Sequence, residues 1–521
     1  MIITGEQFIG NKRSAKGTTT FQSGPHIFYE ATNNEIDEAV QKAYDAFLLY
    51  RNIAGTIKAN FLQSIATGIE VQRDSLLQIA MQETHLTEPR LNGEINRTIN
   101  QIKLFADLLN EGSWVKAIID TAQPQRTPLP KPDIRQMQKA IGPIAVFGAS
   151  NFPFAFSTAG GDTIAAFAAG CSVVCKAHPA HPILSEMIAQ IIIDAVQKTN
   201  MPDGIFSMIQ AASIEPAVNL VQHPLIKAVA FTGSFKGGKS IYDIAAKRDE
   251  PIPVYAEMGS TNPVFILPEI MQNKGIEIAK ALAASNLLST GQFCTNPAVI
   301  IANENSNTQN FQDVFASSIK EHAGDAMLTD SIFSSYQSNI QKLLEQNDVH
   351  IISKGNKSEK TNAVEPYMFA TSADVFMNNK ELHEEVFGPA SLHIVAKNKD
   401  DLMQIAKSLK GQLTITIWAT ENDMLNYSEL INYLELKAGR IIINNVPTGV
   451  EVTHAMMHGG PHPATTESKF TSVGTTSIYR FTRPVCYQNF DNKFLPDELK
   501  NENSNCIVRM VNGEYTKNKI D

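Results

Sequence analysis

Near the start of the chain, apolar residues recur at intervals of three and four: Ile36, Ala39, Val40, Ala43, Ala46 and Phe47. That spacing lines one face of a helix, and helical spacing governs roughly the first hundred residues. It stops between Gln123 and Pro132. There QPQRTPLPKP carries four prolines, which excludes regular structure and marks a connection. A different rhythm follows, with short apolar runs at 144–147, 172–175, 205–209, 226–231 and 254–256. Helix-like stretches at 163–169 and 183–196 separate the first of these runs. Alternation of this kind predicts βαβ units and a parallel sheet, with any ligand at the carboxyl ends of the strands. A second α/β region is expected over 263–450, broken by polar loops at 303–310 and 353–363, and a polar surface tail or arm past Pro496. No internal repeat is visible.

Composition narrows the function classes. The 521 residues include 44 basic and 53 acidic side chains, a formal net charge of −9 that disfavours a nucleic-acid carrier. Five cysteines, at 171, 175, 294, 486 and 506, form no CxxC pair, which argues against a disulfide framework or a zinc ribbon. The first residues lack an apolar signal core, so a cytoplasmic protein is expected. The uncharged stretch 140–161 is 22 residues long, enough to span a bilayer, but its glycines and prolines fit strand, turn and helix start instead. No membrane association is expected.

Four features carry candidate chemistry. Gly233-Ser-Phe-Lys-Gly-Gly-Lys239-Ser240 satisfies the P-loop pattern, but it follows about the fourth strand of the sheet. No later strand ends in an Asp suited to Mg²⁺. A nucleotidase at 233–240 is therefore the lesser reading. His454, His458 and His462 are spaced four apart, yet Gly459-Gly460-Pro461 would break the helix that a metal face needs. They are expected to be structural loop histidines, and no metal site is expected. Cys294 lies in Thr-Gly-Gln-Phe-Cys-Thr-Asn-Pro. Cys171 and Cys175 end an apolar strand and suit the core, whereas a thiol in a polar turn suits a nucleophile with a lowered pKa. Glu257 closes an apolar run 37 residues before Cys294. Partial burial there would raise its pKa toward that of a working general base.

Together these segments resemble the aldehyde dehydrogenase superfamily. The similarity rests on the Glu257 turn, Gly291-Gln-Phe-Cys294 and Glu384-Glu385-Val386-Phe387-Gly388-Pro389, in that order. Phe147-Gly-Ala-Ser-Asn151-Phe-Pro and Phe231-Thr-Gly-Ser234 complete it. Within the superfamily, three segments are most similar to the branch that oxidises 2-oxoglutarate semialdehyde. They are Lys176-Ala-His-Pro-Ala-His-Pro182, Pro253-Val-Tyr-Ala-Glu-Met258 with Asn262-Pro-Val-Phe265, and Pro447-Thr-Gly-Val-Glu-Val452 through His458-Gly-Gly-Pro-His-Pro-Ala-Thr-Thr466. The same branch resembles enzymes for fatty aldehydes, which leaves those as an alternative substrate class. A non-catalytic scaffold is disfavoured because Cys294, Glu257 and Asn151 are all present.

The resemblance implies an α/β fold. A Rossmann-like cofactor domain would comprise 1–124 and 144–257, rejoined by 451–478. A catalytic α/β domain would span 258–450, and 125–143 with 479–521 would form a small oligomerisation arm of a homodimer or larger homo-oligomer. It also implies Cys294 as nucleophile, Asn151 as oxyanion donor and Glu257 as base for hydrolysing a thioester. Lys176, His178, Phe231, Thr232, Gly233, Ser234, Glu385 and Phe387 would bind the cofactor. In NAD-preferring relatives a Glu follows the strand-end Lys by three residues; here that position is Pro179. NADP is therefore the expected cofactor, with NAD possible. The aromatic residue that often precedes the catalytic Asn in relatives is Ser150 here. A substrate with a distal carboxylate would need a cation or several donors, and the sequence does not single one out.

Overall fold

The chain opens its regular structure with short strands and then the helix Asn33–Tyr50, which buries Ile36, Ala39, Val40, Ala43, Ala46 and Phe47 as its spacing dictates. Thr32 and Glu35 start it with a reciprocal capping box. The computed structural model describes residues 2–520; Met1 and Asp521, the ends of the expected cofactor and arm segments, lie outside the described residues. The predicted connection at 123–132 is irregular and is pinned by a single bridge between Gln123 and Lys131.

The five apolar runs become five parallel strands of one sheet, in the order Val254–Glu257, Ala228–Thr232, Ile144–Phe147, Val173–Lys176, Phe206–Ile209. Two antiparallel strands, Gln7–Ile9 and Lys12–Ser14, extend it at one edge. Strand register aligns Lys176, Phe147 and Phe231 in one row, with Thr232 and Glu257 one residue beyond. The candidate side chains thus collect along the carboxyl-terminal edge, where an open α/β sheet binds ligands. The uncharged 140–161 stretch supplies a buried strand and the loop to the helix Gly161–Ala169. No helix among the described residues is long and apolar enough to cross a membrane.

A second seven-stranded sheet runs in the order His350–Lys354, Tyr367–Ser372, Ala390–Ala396, Val299–Asn303, Val264–Ile266, Gln412–Trp418, Ala438–Ile443. It is parallel except for its first strand. Chain 464–466 returns to the first sheet, where Met258 N–H donates to the Ala464 carbonyl and Thr466 N–H to that of Ala256. A buried ion pair of 2.6 Å between Arg480 and Asp162 ties this return to the helix Gly161–Ala169. Removing one partner of such a pair strands a buried charge and costs about 3–5 kcal/mol.

The polar segment past Pro496 is better ordered than its composition suggests. It contributes Arg509–Val511 and Glu514–Thr516 to a five-stranded sheet with Ile118–Asp120, Ile134–Ala140 and Thr482–Gln488. Arg509 lies fully buried, its guanidinium donating to the carbonyls of Lys500, Asn501 and Asn518. It works beside a small apolar cluster that includes Ile119, Met137, Leu495, Leu499 and Ile507.

Candidate active site

Cys294 stands in the turn that precedes the strand Val299–Asn303, closed by Asn296 N–H on the Phe293 carbonyl. The turn is clamped from three directions. Asn262, at φ 45°, donates from one amide to the carbonyls of Ser260, Cys294 and Asn296 at 3.1, 2.8 and 3.0 Å. Its carbonyl oxygen accepts from the Thr414 hydroxyl, and Gln412 Oε1 gathers donors from Ser260, Thr261 and Asn262. On the other side, Asn296 donates to the Gly388 carbonyl at 3.0 Å. Gly291, at φ +65°, crosses Gly388 so closely that a Cβ would come within 2.3 Å of its backbone. The segments around Glu257, Cys294 and Glu385 are thereby locked into one frame.

Within this frame the Cys294 thiol faces His458, with Sγ 3.5 Å from Nε2. His458 Nε2 lies 2.9 Å from Glu257 Oε1, and the thiol, imidazole and carboxylate ligand atoms all fall within 4.8 Å of one another. The imidazole–carboxylate approach is off the line of a directed hydrogen bond, since Oε1 has no bonded donor among the described residues. The contact becomes an ion pair once Nε2 takes up a proton. The other carboxylate oxygen accepts from the Ser472 hydroxyl. Asn151 packs against the same turn, its Nδ2 donating to the Gln292 carbonyl at 3.2 Å. Asn151 is thus anchored to the residue two before the one that carries the thiol. The Cys294 N–H has no acceptor among the described residues.

Two electrostatic expectations are reversed. Burial presses the Glu257 carboxyl upward, but His458 and the Ser472 hydroxyl outweigh it and hold it below its ordinary value. It is a ready carboxylate, not a carboxyl tuned to neutrality. The Cys294 thiol goes the other way: burial and the charge of Glu257 push it well above its ordinary value, against the pull of Arg97 and Arg440. It rests protonated and needs a base beside it. His458 Nε2 lies beside that thiol, on a segment whose histidines the sequence predicts to be structural. Gly459-Gly460-Pro461 does forbid a helix, but an irregular segment can still aim one imidazole at a site. His454 bonds Thr475 instead, and His462 packs against Phe235. The cluster of Cys294, His458 and Glu257 also has the donor set to chelate a thiophilic cation.

The expected cofactor residues border a second region. Ser234 caps the helix Phe235–Ala246 by accepting from Gly237 N–H, while the Phe231 ring lies against Gly233 and Gly237. Thr232 Oγ1 is buried with no partner among the described residues. Lys176 ends its strand, desolvated to a pKa of about 8. His178, expected to bind the cofactor, is neutral. Burial, with His181 and Lys176 alongside, pushes it well below its ordinary value, and Nδ1 accepts from Ala180 N–H, leaving Nε2–H as a neutral donor. Glu385 borders a cavity of about 340 Å³ that also touches Phe235, His462 and the 259–261 segment. Gly259 leaves the space its carboxylate occupies, for a Cβ there would lie 2.2 Å from Oε2. Phe387 follows, half-buried. Helix N-terminus, glycine cradle, orphaned hydroxyl and strand-end Lys together fit the phosphates and ribose of a nicotinamide dinucleotide. The P-loop reading finds no support, because Lys239 Nζ turns along its own helix to Asp243 at 2.5 Å.

Residues 26–482 match the model of the aldehyde dehydrogenase family. The chain is 44% identical to an alpha-ketoglutaric semialdehyde dehydrogenase of Acinetobacter baylyi, covering 99% of both proteins. It is 40% identical to alpha-ketoglutaric semialdehyde dehydrogenase 2 of Azospirillum brasilense, over 99% of this chain and all of that one. Among solved structures, the betaine aldehyde dehydrogenase of Staphylococcus aureus in complex with NAD+ superposes with a TM-score of 0.80 at 17% identity, covering 95% of this chain and 96% of that one. An aldehyde dehydrogenase from Bacillus cereus gives 0.79 at 19% identity, over 93% and 96%. This chain belongs to the aldehyde dehydrogenase family.

Proposed function

We propose that the protein oxidises 2-oxoglutarate semialdehyde to 2-oxoglutarate through a thioester on Cys294, with NADP as the preferred acceptor. The observation that supports the chemistry is the Cys294–His458–Glu257 cluster, in which His458 Nε2 lies 3.5 Å from Sγ and 2.9 Å from Glu257 Oε1. The full-length identity to two relatives named for this semialdehyde supports the substrate.

The steps follow from the residues. His458 takes the thiol proton, backed by the Glu257 carboxylate, and Sγ adds to the aldehyde carbon. The oxyanion of the resulting thiohemiacetal is held by Asn151 Nδ2 and the Cys294 N–H, donors worth about 3 kcal/mol each in such sites. A bound nicotinamide dinucleotide supplies the acceptor for the hydride that leaves this carbon, and Cys294 is left as a thioester. Glu257, ionised and close to Sγ, then takes a proton from water as its oxygen attacks the acyl carbon. The acid departs and Sγ regains its proton. The test is a panel of aldehydes with both dinucleotides, in which kcat/KM should be highest for 2-oxoglutarate semialdehyde with NADP. A fatty aldehyde ranking first would contradict the substrate.

His458→Ala probes the cluster by pH. Glu257 is held below its ordinary value chiefly against burial, so removing His458 leaves burial less opposed and its pKa rises. The acid limb of the thioester-hydrolysis rate should move to higher pH, and the rate of the first oxidation should fall roughly 100-fold with loss of the proton acceptor. Stability is linked in the same sense. A carboxylate whose folded pKa is depressed stabilises the fold above its unfolded pKa, and that contribution is lost as pH falls through the folded value. An unmoved acid limb would remove His458 from the account.

The NADP preference rests on the loop after Lys176. Pro179 leaves the ribose side without the acidic residue of NAD-preferring relatives, and the nearby Glu30 is occupied by the N–H groups of Ala212 and Ser213 and by the Ser213 hydroxyl. Lys176 then faces a 2′-phosphate with no carboxylate newly placed against it. Pro179→Glu should lower the NADP-to-NAD ratio of kcat/KM by roughly 100-fold through like-charge repulsion; steady-state kinetics with each dinucleotide reads it directly. Oligomerisation through the five-stranded layer belongs to the same reading. Thr482–Gln488 is one of its two edge strands and, among the described residues, pairs on one side only, which suits extension by a second copy. The free thiols also suit a reducing cytoplasm.

A further inference from the structure

The cavity above Cys294 holds about 560 Å³, far more than a five-carbon oxo acid fills. Shape alone therefore cannot select so small a substrate, and the polar groups of the wall must do so. Arg90, Glu94 and Arg97 reach that wall from one stripe of the helix Glu88–Glu111, being spaced four and three apart. Arg440 reaches it from the strand Ala438–Ile443.

Their engagements differ. Arg90 is held at both terminal nitrogens: Nη1 pairs with Glu94 at 2.8 Å, Nη2 donates to the Asn151 carbonyl at 3.0 Å, and the guanidinium stacks on Phe152 and Phe293, which leaves only its Nε buried and unpartnered. Glu94 is also satisfied, since its other oxygen accepts from the N–H groups of Phe154 and Ala155. Arg97 is not. Its Nε and Nη2 are buried without a hydrogen-bond partner among the described residues, and its guanidinium only lies near the rings of Phe156 and Phe152. Arg440 donates from both terminal nitrogens to the carbonyls of Pro447 and Gly449, which fixes its plane, while Nε stays buried and unpartnered. Both arginines are half-buried, and guanidinium nitrogens that are buried with idle donors carry a cost which an anion would relieve. The remaining carboxylate of the wall, Glu451, is exposed.

We propose that Arg97 and Arg440 form the anchor for the distal carboxylate of the substrate, making the enzyme selective for aldehydes that carry an acid group at the far end. This rests on the reading of the site as an aldehyde dehydrogenase and names what gives it specificity. Guanidinium suits the task because its fork of donors matches a planar carboxylate. The two arginines sit on different elements, so the anchor fixes the direction from which the aldehyde carbon meets Sγ.

The test compares kcat/KM for 2-oxoglutarate semialdehyde with that for pentanal, a neutral aldehyde of the same length, in parent, Arg97→Met, Arg97→Lys and Arg440→Lys proteins. The acid-to-neutral ratio should fall about 100-fold in Arg97→Met, mainly through KM, with part of it restored in Arg97→Lys. A ratio equal to that of the parent in both Arg97→Met and Arg440→Lys would overturn the proposal. A second readout needs neither aldehyde nor dinucleotide. Iodoacetate should alkylate Cys294 faster relative to iodoacetamide than it does the exposed Cys486, and glutarate should protect Cys294 in the parent. Loss of that excess in Arg97→Met supports the anchor even where no aldehyde is oxidised, which separates it from the proposed reaction. Equal relative rates at Cys294 and Cys486 in the parent, with no protection by glutarate, would refute it.

Discussion

Cys294→Ala is expected to abolish aldehyde-dependent NADPH formation, by about 10⁴-fold or more, while leaving the protein folded. The size of the loss follows from the role: without Sγ no covalent intermediate forms, and no other thiol is within reach. Cys171 and Cys175 are buried, with pKa values pushed to about 11 and about 12, and Cys486 and Cys506 are exposed in the five-stranded layer. Removing the nucleophile of a cooperating set removes nearly all of its catalysis. The fold should survive because the turn is held by its backbone. Asn262 grips the carbonyl of residue 294 and Asn296 grips Gly388, and neither contact involves the thiol. A thermal midpoint within a few degrees of the parent, beside absent turnover, is the expected pair of results. Retained turnover would remove Cys294 from the chemistry.

Glu257→Gln should divide the reaction instead of stopping it. The amide keeps the shape and the contact with Ser472 but cannot accept a proton from water. Oxidation of the first equivalent should proceed with His458 still beside the thiol, and hydrolysis of the thioester should slow by about 10³–10⁴-fold. Rapid mixing should therefore show a burst of roughly one NADPH per site followed by a stall. The pH dependence of the thiol should change with it. Glu257 is the leading charge that raises the Cys294 pKa, so in Glu257→Gln the alkylation profile of Cys294 should shift to lower pH. Steady turnover near the parental rate would place the hydrolytic base elsewhere.

Much of this site was legible in the sequence, for reasons that also explain what was not. The five strands of the first sheet were readable because each is a short apolar run closed by a polar or glycine-rich turn. Cys294 stood out because a thiol among Gly, Gln, Thr and Asn has no packing reason to be there. Glu257 stood out as the end of a buried strand. His458 had no such local mark. It lies 164 residues from Cys294, on an irregular segment whose glycines argue against a helix but do not bear on which site a single imidazole faces. The signal that could have found it was its place in the same ordered set of family-like segments as Glu257. Arg97 was hidden differently: its helix reads as an ordinary amphipathic element, and only the cavity distinguishes a charge facing a site from one facing water. The direction of both pKa shifts was beyond the sequence too, because each depends on a partner brought in by the fold.

The most direct test of the central claim is the mass of the Cys294 peptide after a single turnover of Glu257→Gln with NADP and 2-oxoglutarate semialdehyde. The account predicts one 2-oxoglutaryl group on Cys294, formed in proportion to NADPH and released slowly as 2-oxoglutarate. NADPH formed in full amount with Cys294 unmodified throughout would contradict it.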